Sequence, residues 1–191
     1  MKKQTWLSIW LLIFTNQASA FSLEWLQPMI DPNTAPWSLE RVQDSMDLYD
    51  CGLEQEYEEF CSDVTKYYNV DVESRLFVSD ELVHEIEITS PYSPLVYSEL
   101  QLNLRKDGYV LAQAIIEGKE YNAIEELKNK SIKLVNREMV MFLNEGPISS
   151  ERQLTWYPNS EYYEKKPSRT AIFTSSEHGI NVYFKRMDGV D

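Results

Sequence analysis

Cys51 and Cys61 are the only cysteines in the chain, and their spacing limits what the segment around them can become. On one continuous helix, rising about 1.5 Å per residue, their Cα atoms would stand about 15 Å apart. A disulfide tolerates no more than roughly 7 Å. If the two bond, the chain must reverse within "CGLEQEYEEFC". A thioredoxin-type redox pair needs its cysteines two residues apart, and one pair cannot complete a four-cysteine metal site. The pair therefore reads as a staple. The expected geometry ends a first helix at Gly52, turns through Leu53 to Gln55 and starts a second helix near Glu56. Glu54, Glu56, Glu58 and Glu59 would then crowd the positive end of that helix's dipole.

A disulfide implies an oxidising compartment, and the N-terminus agrees. Lys2 and Lys3 precede the apolar stretch Trp6 to Phe14, and Ala18-Ser19-Ala20 supplies a small-residue cleavage site. Residues 1–20 are expected to be a signal peptide, with a mature chain from Phe21 that is periplasmic in a bacterium or secreted. The apolar stretch is shorter than the ~20 residues a spanning helix needs, and no later segment is apolar enough to insert stably in a membrane.

The formal charge is −13, from 18 basic and 31 acidic residues. Removal of the two signal lysines leaves 16 against 31, or −15. Such a charge repels phosphate backbones and anionic lipid, which argues against nucleic acid and membrane surfaces as partners. A protein partner, and a basic one, fits better.

Residues 21–37 contain Pro28, Pro32 and Pro36, which prevent a long helix. The expectation is an arm that packs Trp25, Leu26, Met29, Ile30 and Trp37 on a single domain spanning 38–191. Leu39, Val42, Met46 and Tyr49, then Leu53, Tyr57, Phe60 and Val64, recur at spacings of three and four, which predicts two helices over about 38–68. From residue 72 the period changes to two. Strands are expected near 72–78 and 82–89, the latter with Leu82, His84, Ile86 and Ile88 on one face and Val83, Glu85, Glu87 and Thr89 on the other. "YSELQLNLRKDGYVLAQAIIEG" reads as a hairpin turning at Asp107-Gly108, "EYNAIEELKNK" as a short helix and "SIKLVNREMVMFLNEGP" as strands. "RQLTWYP" is a strand and "NSEYYEKKPSR" an exposed loop. "TAIFTSSEHGINVYFKRM" is a hairpin turning at Ser176 to Gly179. The fold class is α+β: an N-terminal helical pair and one short additional helix on a twisted, mainly antiparallel sheet of six to eight strands.

Reactive constellations are scarce. "HEIE" at 84–87 lacks the second histidine of a zinc-protease helix, and His178 lies in an exposed turn. No calcium loop, phosphate cradle or serine elbow is present, so no metal, cofactor or catalytic residue is assigned. Glu85 and Glu87 share a strand face. Trp156, Tyr157, Tyr162 and Tyr163 gather around one proline-containing loop and are the aromatic anchors expected of an interface. With Glu85 and Glu87 they form the candidate binding set. The function expected is that of an exported, acidic, non-enzymatic binding protein of inhibitor, immunity or envelope-accessory type. Two alternatives are a carbohydrate-active or other hydrolase using paired carboxylates, and an envelope assembly factor acting by strand addition.

Overall fold

The period of two that sets in at Val70 organises the molecule. A computed structural model describes residues 23–53, 58–164 and 166–187. The predicted signal peptide and the residues Glu54, Gln55 and Glu56 of the predicted reversal lie outside the described residues.

Among the described residues ten strands build one antiparallel sheet, so the α+β class holds with a larger sheet than expected. They are β1 (Leu48–Asp50), β2 (Glu59–Ser62), β3 (Thr65–Tyr67), β4 (Val70–Ser79), β5 (Leu82–Ser90), β6 (Tyr109–Ile116), β7 (Lys119–Asn122), β8 (Arg152–Pro158), β9 (Arg169–Ser176) and β10 (Gly179–Arg186). Their order is β1-β2-β4-β5-β10-β9-β8-β6-β7, with β3 also on β4. The expected hairpins β4–β5 and β9–β10 and the strand β8 are all present.

Each central strand buries alternate residues. Val72 and Leu76 of β4, Ile86 and Ile88 of β5, Val182 and Phe184 of β10, Ala171 and Phe173 of β9, and Leu154 and Trp156 of β8 share one face. At β5 the alternation slips. Phe77 pairs with Glu85 and Val78 with Val83, leaving His84 as the extra residue of a bulge. Val83 is thereby buried beside Ile86, a correction to the predicted facing.

The remaining corrections concern helices. Among the described residues of the predicted pair over 38–68, only α2 (Leu39–Gln43) is an α-helix, capped by the Ser38 side chain. The other elements described there are β1, β2 and β3. Cys51 and Cys61 are bonded with Cα atoms 5.8 Å apart, and the reversal that the spacing demands is made by the antiparallel pair β1–β2, with Tyr49 opposite Cys61. Conversely, residues 94–106 are α3 (Pro94–Lys106) and residues 132–143 are α5 (Ile132–Leu143), both expected as strands. The Ser93 hydroxyl accepts from Val96 N at 3.1 Å and Pro94 occupies the first turn, a helix start that overrides the alternating leucines. Tyr97, Leu100 and Leu104 are the buried stripe, and Gly108 at φ +84° follows the helix end. Ser131 likewise caps α5, which buries Val135, Met139 and Phe142. The short helix α4 (Ala123–Glu126) lies inside its predicted segment. No helix among the described residues is long and apolar enough to cross a membrane.

Helices and arm cover a single face of the sheet. Tyr97 of α3 meets Phe173 edge-on at 5.5 Å. The arm carries a short 3-10 turn at Glu24–Leu26 and α1 (Gln27–Ile30); it buries the expected Trp25, Leu26, Met29 and Trp37 and also Leu23, whereas Ile30 is half-buried against the core. Its proline-broken backbone leaves carbonyls without helical partners, and buried side chains of the sheet satisfy them. Arg186 donates to Pro28 O at 2.7 Å, Thr34 O at 2.6 Å and Pro32 O at 3.3 Å. Tyr109 donates to Met29 O, and Arg169 to Ile30 O.

Candidate binding site

The opposite face of the sheet carries no helix among the described residues, and the ladder registers arrange its side chains in rows. One row runs Glu73, Thr89, Asn181, Thr174, Gln153 and Ile115 across β4, β5, β10, β9, β8 and β6. The next runs Arg75, Glu87, Tyr183, Ile172, Thr155 and Gln113 over the same strands. Glu85 and Lys185 stand opposite each other in a third. Hydroxyl and amide side chains thus occupy the middle of the face, and charges lie toward its margins.

This face is hollowed. A cavity of about 540 Å³ has Ile115, Gln153, Thr174 and Asn181 in its floor, with Glu117, Glu151 and His178 at its rim. A second, of about 470 Å³, shares His178, Gly179 and Asn181 and continues to Thr89, Glu73 and Asp71. A third, of about 240 Å³, shares Glu73 and Thr89 and reaches Asp63, Arg75, Glu87 and the disulfide at Cys61. Together they form one trough that crosses the strands.

The expected site residues divide. Glu85 and Glu87 do share the open face. Glu85 pairs with Lys185 at 3.0 Å. Glu87 accepts from the Tyr183 hydroxyl, and that bond, with burial and the carboxylate charge, raises the Tyr183 pKa above its usual 10. The four aromatics do not form one surface. Trp156 is fully buried on the helix-covered side, with the Arg105 guanidinium 5.7 Å from its ring. Tyr162 is buried and donates to Leu111 O at 3.2 Å. Tyr157 lies half-buried on the open face opposite Val110, and Tyr163 is exposed, edge-on to Tyr162. The predicted exposed loop is drawn inward because Glu161 is buried in an ion pair with Arg169, a tie that local sequence does not announce.

The trough residues that sequence reasoning missed are Thr89, Thr174, Asn181 and Gln153. Each alternates with a buried apolar or serine neighbour, so its outward orientation was readable. Its row partners were not, because strand order places β10 between β5 and β9.

Other polar clusters serve the fold. The hydroxyls of Tyr67 and Tyr68, at the β3–β4 turn, both donate to Asp107 at the end of α3. Burial pushes the Asp107 carboxyl above its usual 3.8, an effect the two tyrosyl bonds partly offset. Buried Arg152 donates to Leu143 O at 2.7 Å and Pro147 O at 2.9 Å, closing the C-terminal end of α5. In the β9–β10 turn the Ser176 hydroxyl accepts from the backbone of His178, and the imidazole lies 3.8 Å from Glu177, with both side chains in solvent. That arrangement gives a nucleophile no oriented base. Among the described residues no three His, Cys, Asp or Glu side chains are grouped to hold a metal ion. No family, curated protein or solved structure matches the chain.

Proposed function

We propose that this protein is an exported, non-enzymatic binding protein, of inhibitor, immunity or envelope-accessory type, that holds a protein partner on the open face of its sheet. The observation that carries this reading is the trough itself, a hollowed face lined by side chains of eight strands with hydrogen-bonding groups in its middle and carboxylates at its margins. A chain charge of −13, or −15 after signal removal, steers basic partners toward it and raises their rate of encounter. The disulfide suits an oxidising, exported setting.

The alternatives draw less support. A hydrolase needs two carboxylates facing one bond, whereas Glu85 and Glu87 are engaged by Lys185 and Tyr183. Strand addition needs a long unpaired edge, and the strands that end the sheet, β1 and β7, have three and four residues.

The test is crosslinked capture from the cells that make the protein, with the native chain and a Thr174→Arg variant that fills the centre of the trough. The reading expects a protein captured by the first and lost with the second, and a yield that falls as salt rises. Equal capture by both would refute it.

A further inference from the structure

The trough has two acidic ends and an uncharged middle, and this separation says what kind of segment fits it. Glu73 stands at one end on β4, with Asp71 on the same strand face. Glu151, just before β8, and Glu117, in the β6–β7 turn, stand at the other. Between them the floor is Thr89, Asn181, Thr174 and Gln153. At the first end Lys66 pairs with Asp71 at 2.5 Å, which leaves Glu73 as the carboxylate that carries that end. Arg152 is directed to main-chain carbonyls and Arg75 lies 3.8 Å from Glu59, while His178 sits between the ends, in the β9–β10 turn.

We infer that the trough receives a single extended, two-ended cationic segment of a protein, with basic side chains about six residues apart and uncharged polar residues between them. The length follows from strand spacing. From β4 to β8 the row makes four strand-to-strand steps of roughly 4.8 Å, about 19 Å in all. An extended chain advances about 3.3 Å per residue and covers that in six. Its basic side chains reach Glu73 at one end and Glu151 with Glu117 at the other. Its backbone and small polar side chains hydrogen-bond to the threonine, asparagine and glutamine floor. A neutral glycan would bring no counter-charge to Glu73 or Glu151, and a nucleic acid would be repelled by them. The inference rests on the open-face reading proposed above and adds to it the chemistry and spacing of the occupant.

Two labelled nine-residue peptides of equal composition test it, built from Ser, Asn and Thr with arginine at positions 2 and 8 in one and at 4 and 5 in the other. Anisotropy gives their affinities and backbone amide NMR shifts give their place on the whole chain. The spaced peptide is expected to bind at least fivefold more tightly and to shift Thr89, Thr174 and Asn181. Glu73→Gln and Glu151→Gln should each weaken it by about threefold to fivefold, the upper part of the range of an exposed ion pair, and leave the adjacent-arginine peptide nearly unchanged. Equal affinities at the open face would overturn the two-ended occupant and leave the open-face reading standing. Shifts confined to another surface, or undiminished binding by Thr174→Arg, would overturn both. Failure of both peptides to bind, or shifts of the same residues by a neutral hexasaccharide alone, would overturn the cationic segment.

Discussion

Replacing Glu161 by glutamine should cost this domain a large part of its stability. Glu161 is 8% exposed, and its two oxygens accept from Arg169 Nε at 3.1 Å, Ser168 N at 2.6 Å and Ser168 Oγ at 2.9 Å, besides the Arg169 Nη2 contact. Every partner is a donor. Glutamine keeps the shape but turns an amide N–H2 toward one set of donors, and it leaves a buried guanidinium with no counter-charge. Breaking a buried pair in this way costs about 3–5 kcal/mol, against a total stability of order 5–15 for such domains. At roughly 2–4 °C per kcal/mol for a domain of this size, the melting point should fall by about 10 °C. Burial pushes the Glu161 carboxyl up, but the bonds from Arg169 and Ser168 and the arginine's charge outweigh it and hold the pKa below its usual 4.5. The stabilisation is therefore complete above pH 4.5 and fades as pH falls through the lower folded value. Urea titrations followed by tryptophan fluorescence at pH 7 and pH 3 measure it, with a larger gap between native and variant chains at pH 7. A loss under 1 kcal/mol at pH 7, or a gap that ignores pH, would refute the reasoning.

Two further outcomes follow from the same structure. Cys51→Ser opens a ten-residue loop and should lower stability by about 2–3 kcal/mol in the loop-entropy treatment, a difference that disappears when both proteins are melted in reductant. Asp107→Asn removes a carboxyl whose folded pKa lies above 3.8, so the native chain takes up a proton on folding as pH drops. Its stability relative to the variant should rise as pH falls toward 4, and a flat or opposite trend in parallel denaturation curves would count against the buried carboxylate.

The strands legible in the sequence were those whose alternation met no competing signal. β8, β9 and β10 alternate cleanly, and turn residues flank them. α3 was misread because Leu100, Leu102 and Leu104 satisfy a period of two, although Tyr97, Leu100 and Leu104 satisfy a helical one as well. Ser93-Pro94 was the deciding signal, and it lies outside the periodic run. The region after Gly52 was misread for the opposite reason. Tyr57, Phe60 and Val64 have helical spacing, but Phe60 and Ser62 are buried on alternate positions of a strand that the disulfide ties to β1. At the candidate site, Glu85 and Glu87 could be placed on one face from local alternation. Their partners Lys185 and Tyr183 lie about a hundred residues away, and only the strand order unites them.

The grip of Arg186 on the arm links the first described residues to the last strand. Its contacts with Pro28, Pro32 and Thr34 join positions 158, 154 and 152 residues apart. Pairing so distant in sequence is slow to form, because the intervening chain must first be gathered. It also imposes an order in time. A chain that emerges from its N-terminus presents the arm first and the strand that fastens it last, so the arm's carbonyls stay hydrated until the final strand has joined the sheet. A chain interrupted before Arg186 therefore leaves the carbonyls of Pro28, Pro32 and Thr34 without these donors.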